Sequence, residues 1–305
     1  MNPKLHLLSF WMNRQRIMSP LVFLLLLPFM GSTEEIQHLD ATASNFAFGT
    51  NPTEIAQWID QSSRGNHATP VGSDLLIFDE TDLLGSGLPG VDFGPFRNRL
   101  ELFSSLASES WLDQSVASAQ GFTVFVAFQA NSVIGSWNDL LGNTTGSAGF
   151  HLRFSSGGQM RAALGGKQLV IDGQRIIAGD TIVLAFRYDP LTKEMLLWDS
   201  KNRVDTYGFL EESDFSNGNG VTLGSTSTGG RYIDGLVGEV IIHDTALTDK
   251  EFFQISDILR SKWVTSGDPL QLLTAALSPT QAGPVTSWSD QSRNGNHASE
   301  VVEIV

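Results

Sequence analysis

Cysteine is absent from all 305 residues, which excludes disulfides, thiolate zinc sites, a cysteine nucleophile and a lipid anchor on cysteine. Cationic residues are scarce: 19 Lys and Arg stand against 33 Asp and Glu, for a net charge of -14. No basic cluster follows residue 16, so the chain lacks the clustered phosphate-binding charge that nucleic acid demands, and no nucleic-acid partner is expected. The apolar run Ile17 to Met30 spans 14 residues and is interrupted by Pro20 and Pro28. A stable span needs about 20 residues to cross the hydrocarbon core, so no permanent membrane anchor is expected.

Apolar residues make up 41% of the chain and charged residues 17%, enough to bury a core without covalent staples. Lys4, Arg14 and Arg16 precede the apolar run, and small Gly31 and Ser32 follow it. That order is the signature of a secretory signal over residues 1–32, and it implies a secreted or cell-surface protein.

Trp58-Ile-Asp60-Gln61-Ser62-Ser-Arg-Gly65-Asn66-His67-Ala68 recurs as Trp288-Ser-Asp290-Gln291-Ser292-Arg-Asn-Gly295-Asn296-His297-Ala298, with eight of eleven positions identical. The recurrence marks a duplicated module. One unit is therefore expected over 36–264, followed in 265–305 by a linker and the truncated start of a second copy.

Between the repeats, short β-branched or aromatic runs alternate with Gly, Ser, Asn and Asp, as strands alternate with turns. The expected strands are Leu75 to Phe78, Gly90 to Phe93, Leu100 to Phe103, Thr123 to Phe128, Phe150 to Phe154, Met160 to Leu164, Thr181 to Tyr188, Glu194 to Asp199, Val221 to Leu223 and Leu236 to His243. Such spacing predicts an all-β fold of two packed antiparallel sheets. Two strands, Phe122 to Phe128 and Thr181 to Tyr188, are apolar almost throughout and should be central. Thr248-Asp-Lys-Glu251 forms a capping box that opens a helix running to about Trp263. Phe252, Ile255, Ile258 or Leu259, and Trp263 give it one apolar stripe to lay on the sandwich.

Three segments carry a family resemblance. They are Leu39-Asp40-Ala41 with the Trp58 to Ala68 motif; Ile182-Val-Leu-Ala-Phe-Arg-Tyr188-Asp189; and Asp234-Gly235-Leu-Val-Gly238-Glu239-Val240, followed by Ala246-Leu247-Thr248 and the helix ending Lys262-Trp263. In this order they resemble the LamG-like jelly rolls of the concanavalin A-like lectin/glucanase superfamily, in the form found in exported bacterial proteins. The resemblance implies a jelly-roll sandwich with one C-terminal helix packed on it. It further implies a non-catalytic module that binds carbohydrate or glycoprotein, often with Ca²⁺, within a larger extracellular protein. The same superfamily includes glycoside hydrolases, so an enzyme is one alternative. A structural or adhesive spacer without its own ligand is another.

For catalysis, glucanases of this superfamily carry Glu-x-Asp-x-x-Glu on one strand. The nearest match, Glu212-Ser-Asp214-Phe-Ser-Asn217, ends in Asn and lies in a polar stretch, so no catalytic residue is assigned. Gly85-Ser-Gly87-Leu-Pro-Gly90 fits a dinucleotide pattern in form only, because a strand rather than a helix should follow it. For sugar binding, Trp137-Asn138-Asp139 in the Gly-rich stretch Ser132 to Gly149 is expected to be a loop carrying an aromatic platform flanked by polar groups. Asp60 and Asn66 offer oxygen ligands to Ca²⁺, or else stabilise their turn through side-chain to backbone bonds.

Overall fold

A computed structural model of the chain describes residues 35–41, 46–71, 76–79, 88–94, 98–103, 112, 120–132, 136–144, 149–171, 176–201, 204–208, 215 and 219–264. The expected signal over 1–32, the second motif copy in 265–305, Gly85–Gly87 and all of the Glu212–Asn217 stretch except Phe215 lie outside these residues.

Two large sheets, antiparallel throughout, face each other. The first runs in the order β15 (Val204–Tyr207), β14 (Glu194–Asp199), β13 (Thr181–Asp189), β8 (Phe122–Ser132), β17 (Asp234–His243), β6 (Gly90–Asp92), β5 (Ile77–Asp79). β1 (Glu35–Asp40) pairs with Glu239–His243 of β17, while β6 pairs with Leu236 and Val237, so the two short strands share one edge of β17 in succession. The second sheet runs β12 (Lys167–Ile171), β11 (Met160–Leu164), β10 (Phe150–Ser155), β9 (Trp137–Gly142), β16 (Val221–Leu223), β7 (Leu100–Phe103), β4 (Thr69–Pro70). A small hairpin of β2 (Phe46–Phe48) and β3 (Ile55–Trp58) stacks Phe46 on Trp58 at 5.5 Å. Among the described residues, no helix is long and apolar enough to cross a membrane.

Each of the ten expected strands overlaps an observed one, Leu75 to Phe78 through β5 at Ile77 and Phe78 with Leu75 outside the described residues, and the all-β antiparallel sandwich holds. β8 and β13 are central in the first sheet and buried along nearly their whole length. The alternation of side chains explains why. Phe122 and Phe128 point to the second sheet, meeting Phe150 edge-on at 5.1 Å and Phe154 stacked at 5.8 Å. Phe125, at the opposite parity, meets Phe252 of the helix at 5.4 Å. With apolar surface covering both faces, these strands can be apolar at every position.

That helix, α1 (Asp249–Trp263), opens with the expected capping box: Thr248 Oγ1 accepts from Glu251 N, and Thr248 N donates to Glu251 Oε2 at 2.9 Å. Its buried side chains are Phe252, Ser256, Leu259 and Trp263. Leu259 rather than Ile258 takes the buried place in the stripe, and Ile258 is exposed.

One expectation is corrected. Trp137-Asn138-Asp139 is not a loop; it begins β9, hydrogen-bonded between β10 and β16. The neighbouring Gly and Ser mimic a loop in composition, but the ladder to Phe154 and Ser155 satisfies the backbone here.

Candidate functional site

The outer face of the second sheet carries a compact polar cluster. Because Phe150 and Phe154 point to the core, strand alternation puts His151 and Arg153 on the outer face. Arg153 stands opposite Asp139 in β9 and Arg161 in β11, which brings three charged side chains abreast. Arg231 joins them from the turn before β17, where its carbonyl accepts from Asp139 N at 2.7 Å.

Trp137 is half-buried, and its ring is overlaid by guanidinium groups: Arg161 Cζ lies 4.4 Å and Arg153 Cζ 5.4 Å from the centroid. Such contacts contribute about 0.5–2 kcal/mol and hold the planar heads in place. Arg153 Nη2 lies 2.6 Å from His151 Nδ1. Arg153 Nε sits 3.2 Å from Asp139 Oδ1 without meeting hydrogen-bond geometry, and Arg231 Nη1 is 4.0 Å from Oδ2.

These charges are imperfectly compensated. Burial pushes the Asp139 carboxyl up to about 6 despite the pull of Arg153 and Arg231. Burial likewise lowers Arg153 to about 10, with Asp139 opposing and the two other guanidiniums assisting. His151 is held well below its ordinary value, first by burial and then by the three arginines, so it stays neutral. The site can stack an apolar ring edge and present oriented donors to oxygen-rich groups; Asn138 is buried in the sheet and donates to Phe154 O.

Asp60 and Asn66 form a separate, tightly bonded turn. Asp60 Oδ1 accepts from His38 N (2.8 Å) and Ser62 N (2.9 Å), and Oδ2 accepts from Ser62 Oγ and Asn66 N (both 2.6 Å). Asn66 Nδ2 donates to Ile36 O, and Asp60 N donates to His67 Nδ1. A cation at Asp60 would have to displace these donors. Gly65 supplies the left-handed residue of the turn, with φ 66°.

A third polar cluster ties β1, β17 and α1. Lys262 Nζ donates to Asp40 Oδ2 and Glu239 Oε2, both at 2.7 Å; Trp263 Nε1 donates to Glu239 Oε2 at 2.7 Å, and His38 Nε2 lies 2.8 Å from Glu239 Oε1. His38, Asp40 and Glu239 converge closely enough to suggest metal ligands, but the Lys262 ammonium already bridges both carboxylates. Burial would raise Glu239, yet Lys262 and His38 hold it at about 2. Burial would lower His38, yet Glu239 and Glu35 raise it to about 10.

Of the three residues read from the sequence, the structure places Trp137 and Asp139 beside Arg153, Arg161 and Arg231, which the sequence reading did not single out, and Asn138 within the sheet. The signal existed in part: His151-x-Arg153-x-Ser155 places polar groups at every second position of an otherwise apolar strand. The Lys262 cluster joins residues up to 222 positions apart and left no local sign.

No curated protein matches the chain. Among solved structures, domain 4 of AbnA, a GH43 extracellular arabinanase from Geobacillus stearothermophilus in complex with arabinotriose, is similar at 12% identity and TM-score 0.52, covering 74% of this chain and 98% of that one. The binding domain of botulinum neurotoxin DC, in complex with rat synaptotagmin II, is similar at 11% identity and TM-score 0.50, covering 74% and 52%. The CBM40 of a Ruminococcus gnavus IT-sialidase, bound to alpha2,3 sialyllactose, follows at 17% identity and TM-score 0.43, covering 55% and 95%. In agreement with the resemblance read from its motifs, residues 107–252 of the chain match the Laminin_G_3 family of the concanavalin A-like lectin/glucanases superfamily.

Proposed function

We propose that the chain is an exported, non-catalytic carbohydrate-binding module that engages glycans or glycoproteins through the outer face of the second sheet. The observation that carries the reading is Trp137, a half-buried indole at the start of β9, set among guanidinium donors on a sheet face that α1 does not cover. Carbohydrate sites combine such an apolar surface with a few fixed polar groups. The arabinanase domain, which shares the fold and was solved with arabinotriose, supports a saccharide as the ligand class.

Retaining glycoside hydrolysis needs two carboxyl groups about 5–5.5 Å apart. The charges acting on Asp139 are those of Arg153 and Arg231, an environment that suits recognition better than two-carboxyl chemistry. A glycan array on the full chain, repeated with Trp137→Ala, tests the reading. Binding that disappears in the variant, with the melting temperature within a few degrees, supports it; an array with no binding overturns it.

A further inference from the structure

The polar cluster at Trp137 is cationic in a chain whose net charge is -14. Three guanidiniums, those of Arg153, Arg161 and Arg231, face one carboxylate, Asp139. Among the described residues, Arg161 has no ion-pair partner. Its Nη2 makes a long 3.3 Å contact to Gln159 Oε1, and its Nε donates to nothing. Arg231 is 39% exposed, and its one carboxylate contact is at the 4.0 Å limit. Like charges do not gather beside one another without a counter-charge, so the excess calls for an anion from outside.

Two further features fix the geometry of that anion. Arg161 Cζ lies over the Trp137 ring, 4.4 Å from its centroid, a contact that restrains the planar guanidinium fork. Arg231 has φ 52°, a left-handed conformation unfavourable to a side-chain-bearing residue, and it is pinned there by the bond from Asp139 N to its carbonyl. Arg161 thereby lies over Trp137, and Arg231 lies beside Asp139 two residues further on. A planar fork matches the two oxygens of a carboxylate.

We infer that Arg161 and Arg231, with buried Arg153 behind them beside Trp137, receive the carboxylate of an acidic saccharide, so that the module selects carboxylate-bearing sugars over neutral ones. This inference rests on the carbohydrate-binding reading and names its ligand class.

Calorimetric titration of the full chain with two matched pairs tests it: trigalacturonic acid against its carboxyl-reduced counterpart, and 3′-sialyllactose against lactose. In at least one pair the acidic member is expected to bind tenfold or more tightly than its neutral partner, a difference of about 1.4 kcal/mol. Arg161→Gln and Arg231→Gln should each remove most of that preference, as should 0.5 M NaCl. Arg231 is exposed, so its variant keeps the test valid even where Arg161→Gln is poorly folded. Equal binding of acidic and neutral members, lost in Trp137→Ala, would overturn the acidic selectivity and leave the carbohydrate reading standing. No binding to any of the four would overturn both.

Discussion

Replacing Lys262 by Met keeps most of the side-chain volume but removes the ammonium between Asp40 and Glu239. Glu239 would then lie buried with His38 and Trp263 as partners, and with Asp40 close by. Breaking a buried ion pair by deleting one partner costs about 3–5 kcal/mol. The native cluster gives a comparable figure: holding Glu239 at about 2 instead of 4.5 amounts to about 3 kcal/mol at 1.36 kcal/mol per pH unit. The folded state lowers this carboxyl, so its contribution is present above pH 4.5 and is lost as pH falls toward 2. His38 works in the opposite sense. Raised from 6.5 to about 10, it contributes fully below pH 6.5 and loses that contribution as pH rises toward 10. Both shifts contain the one His38–Glu239 interaction, so they are not summed. Urea unfolding from pH 3 to 9 should therefore show wild-type stability from this cluster greatest between about pH 4.5 and 6.5. At pH 6 Lys262→Met should lie about 3–5 kcal/mol lower, which for a domain of this size is roughly 6–20 °C in melting temperature. Adding Glu239→Gln to Lys262→Met should recover part of the loss. A single variant within 1 kcal/mol of wild type at pH 6 would refute the assignment of Lys262 as the counter-charge.

Asp60→Ala removes the acceptor of four protein donors and should cost about 4 kcal/mol in chemical denaturation, whereas EDTA should leave the wild-type melting temperature unchanged. Gly235→Ala places a Cβ against the carbonyl of Gln129 across the β17–β8 ladder and should lower soluble yield sharply. Gly65→Ala, with open space but a positive φ, should cost only about 1–2 kcal/mol. Phe252→Ala strips the helix of its contact with Phe125 and should destabilise by about 3–5 kcal/mol, with any glycan affinity of the folded fraction unchanged. If an acidic sugar binds at Trp137, its affinity should rise as pH falls from 7 to 5. Asp139 takes up a proton near 6 while His151, held well below its ordinary value, stays neutral, so the cluster loses its one carboxylate charge; calorimetry at the two pH values checks this.

The sheets were legible because their signals are local. Apolar runs such as Thr181 to Tyr188 declare a doubly covered strand, and Thr248 with Glu251 declares the helix start within four residues. β9 was misread because Asn138 and Asp139, poor strand formers, follow Ser and Gly, and because the ladder partners that override this preference, Phe154 and Arg153, lie 16 and 14 residues away on β10. β12 and β15 went unseen for a similar reason: short edge-side strands with polar residues acquire their state from pairing rather than composition.

The repeated motif shows what a sequence can identify without explaining. The side chains that knot the turn, Asp60, Ser62, Asn66 and His67, are all among the positions identical in the second copy, as is Trp58, whose Nε1 donates to Asp40 O. Asp40 in turn belongs to the Lys262 cluster, so the opening and closing motifs of the family resemblance meet through β1 in one continuous bonded network. That network fastens β1 and β17 of the first sheet to α1. The strongest motifs therefore specify the scaffold. The residues proposed to recognise a ligand, Trp137, Arg161 and Arg231, sit outside every one of them, where a sheet face can change its ligand without disturbing the fold.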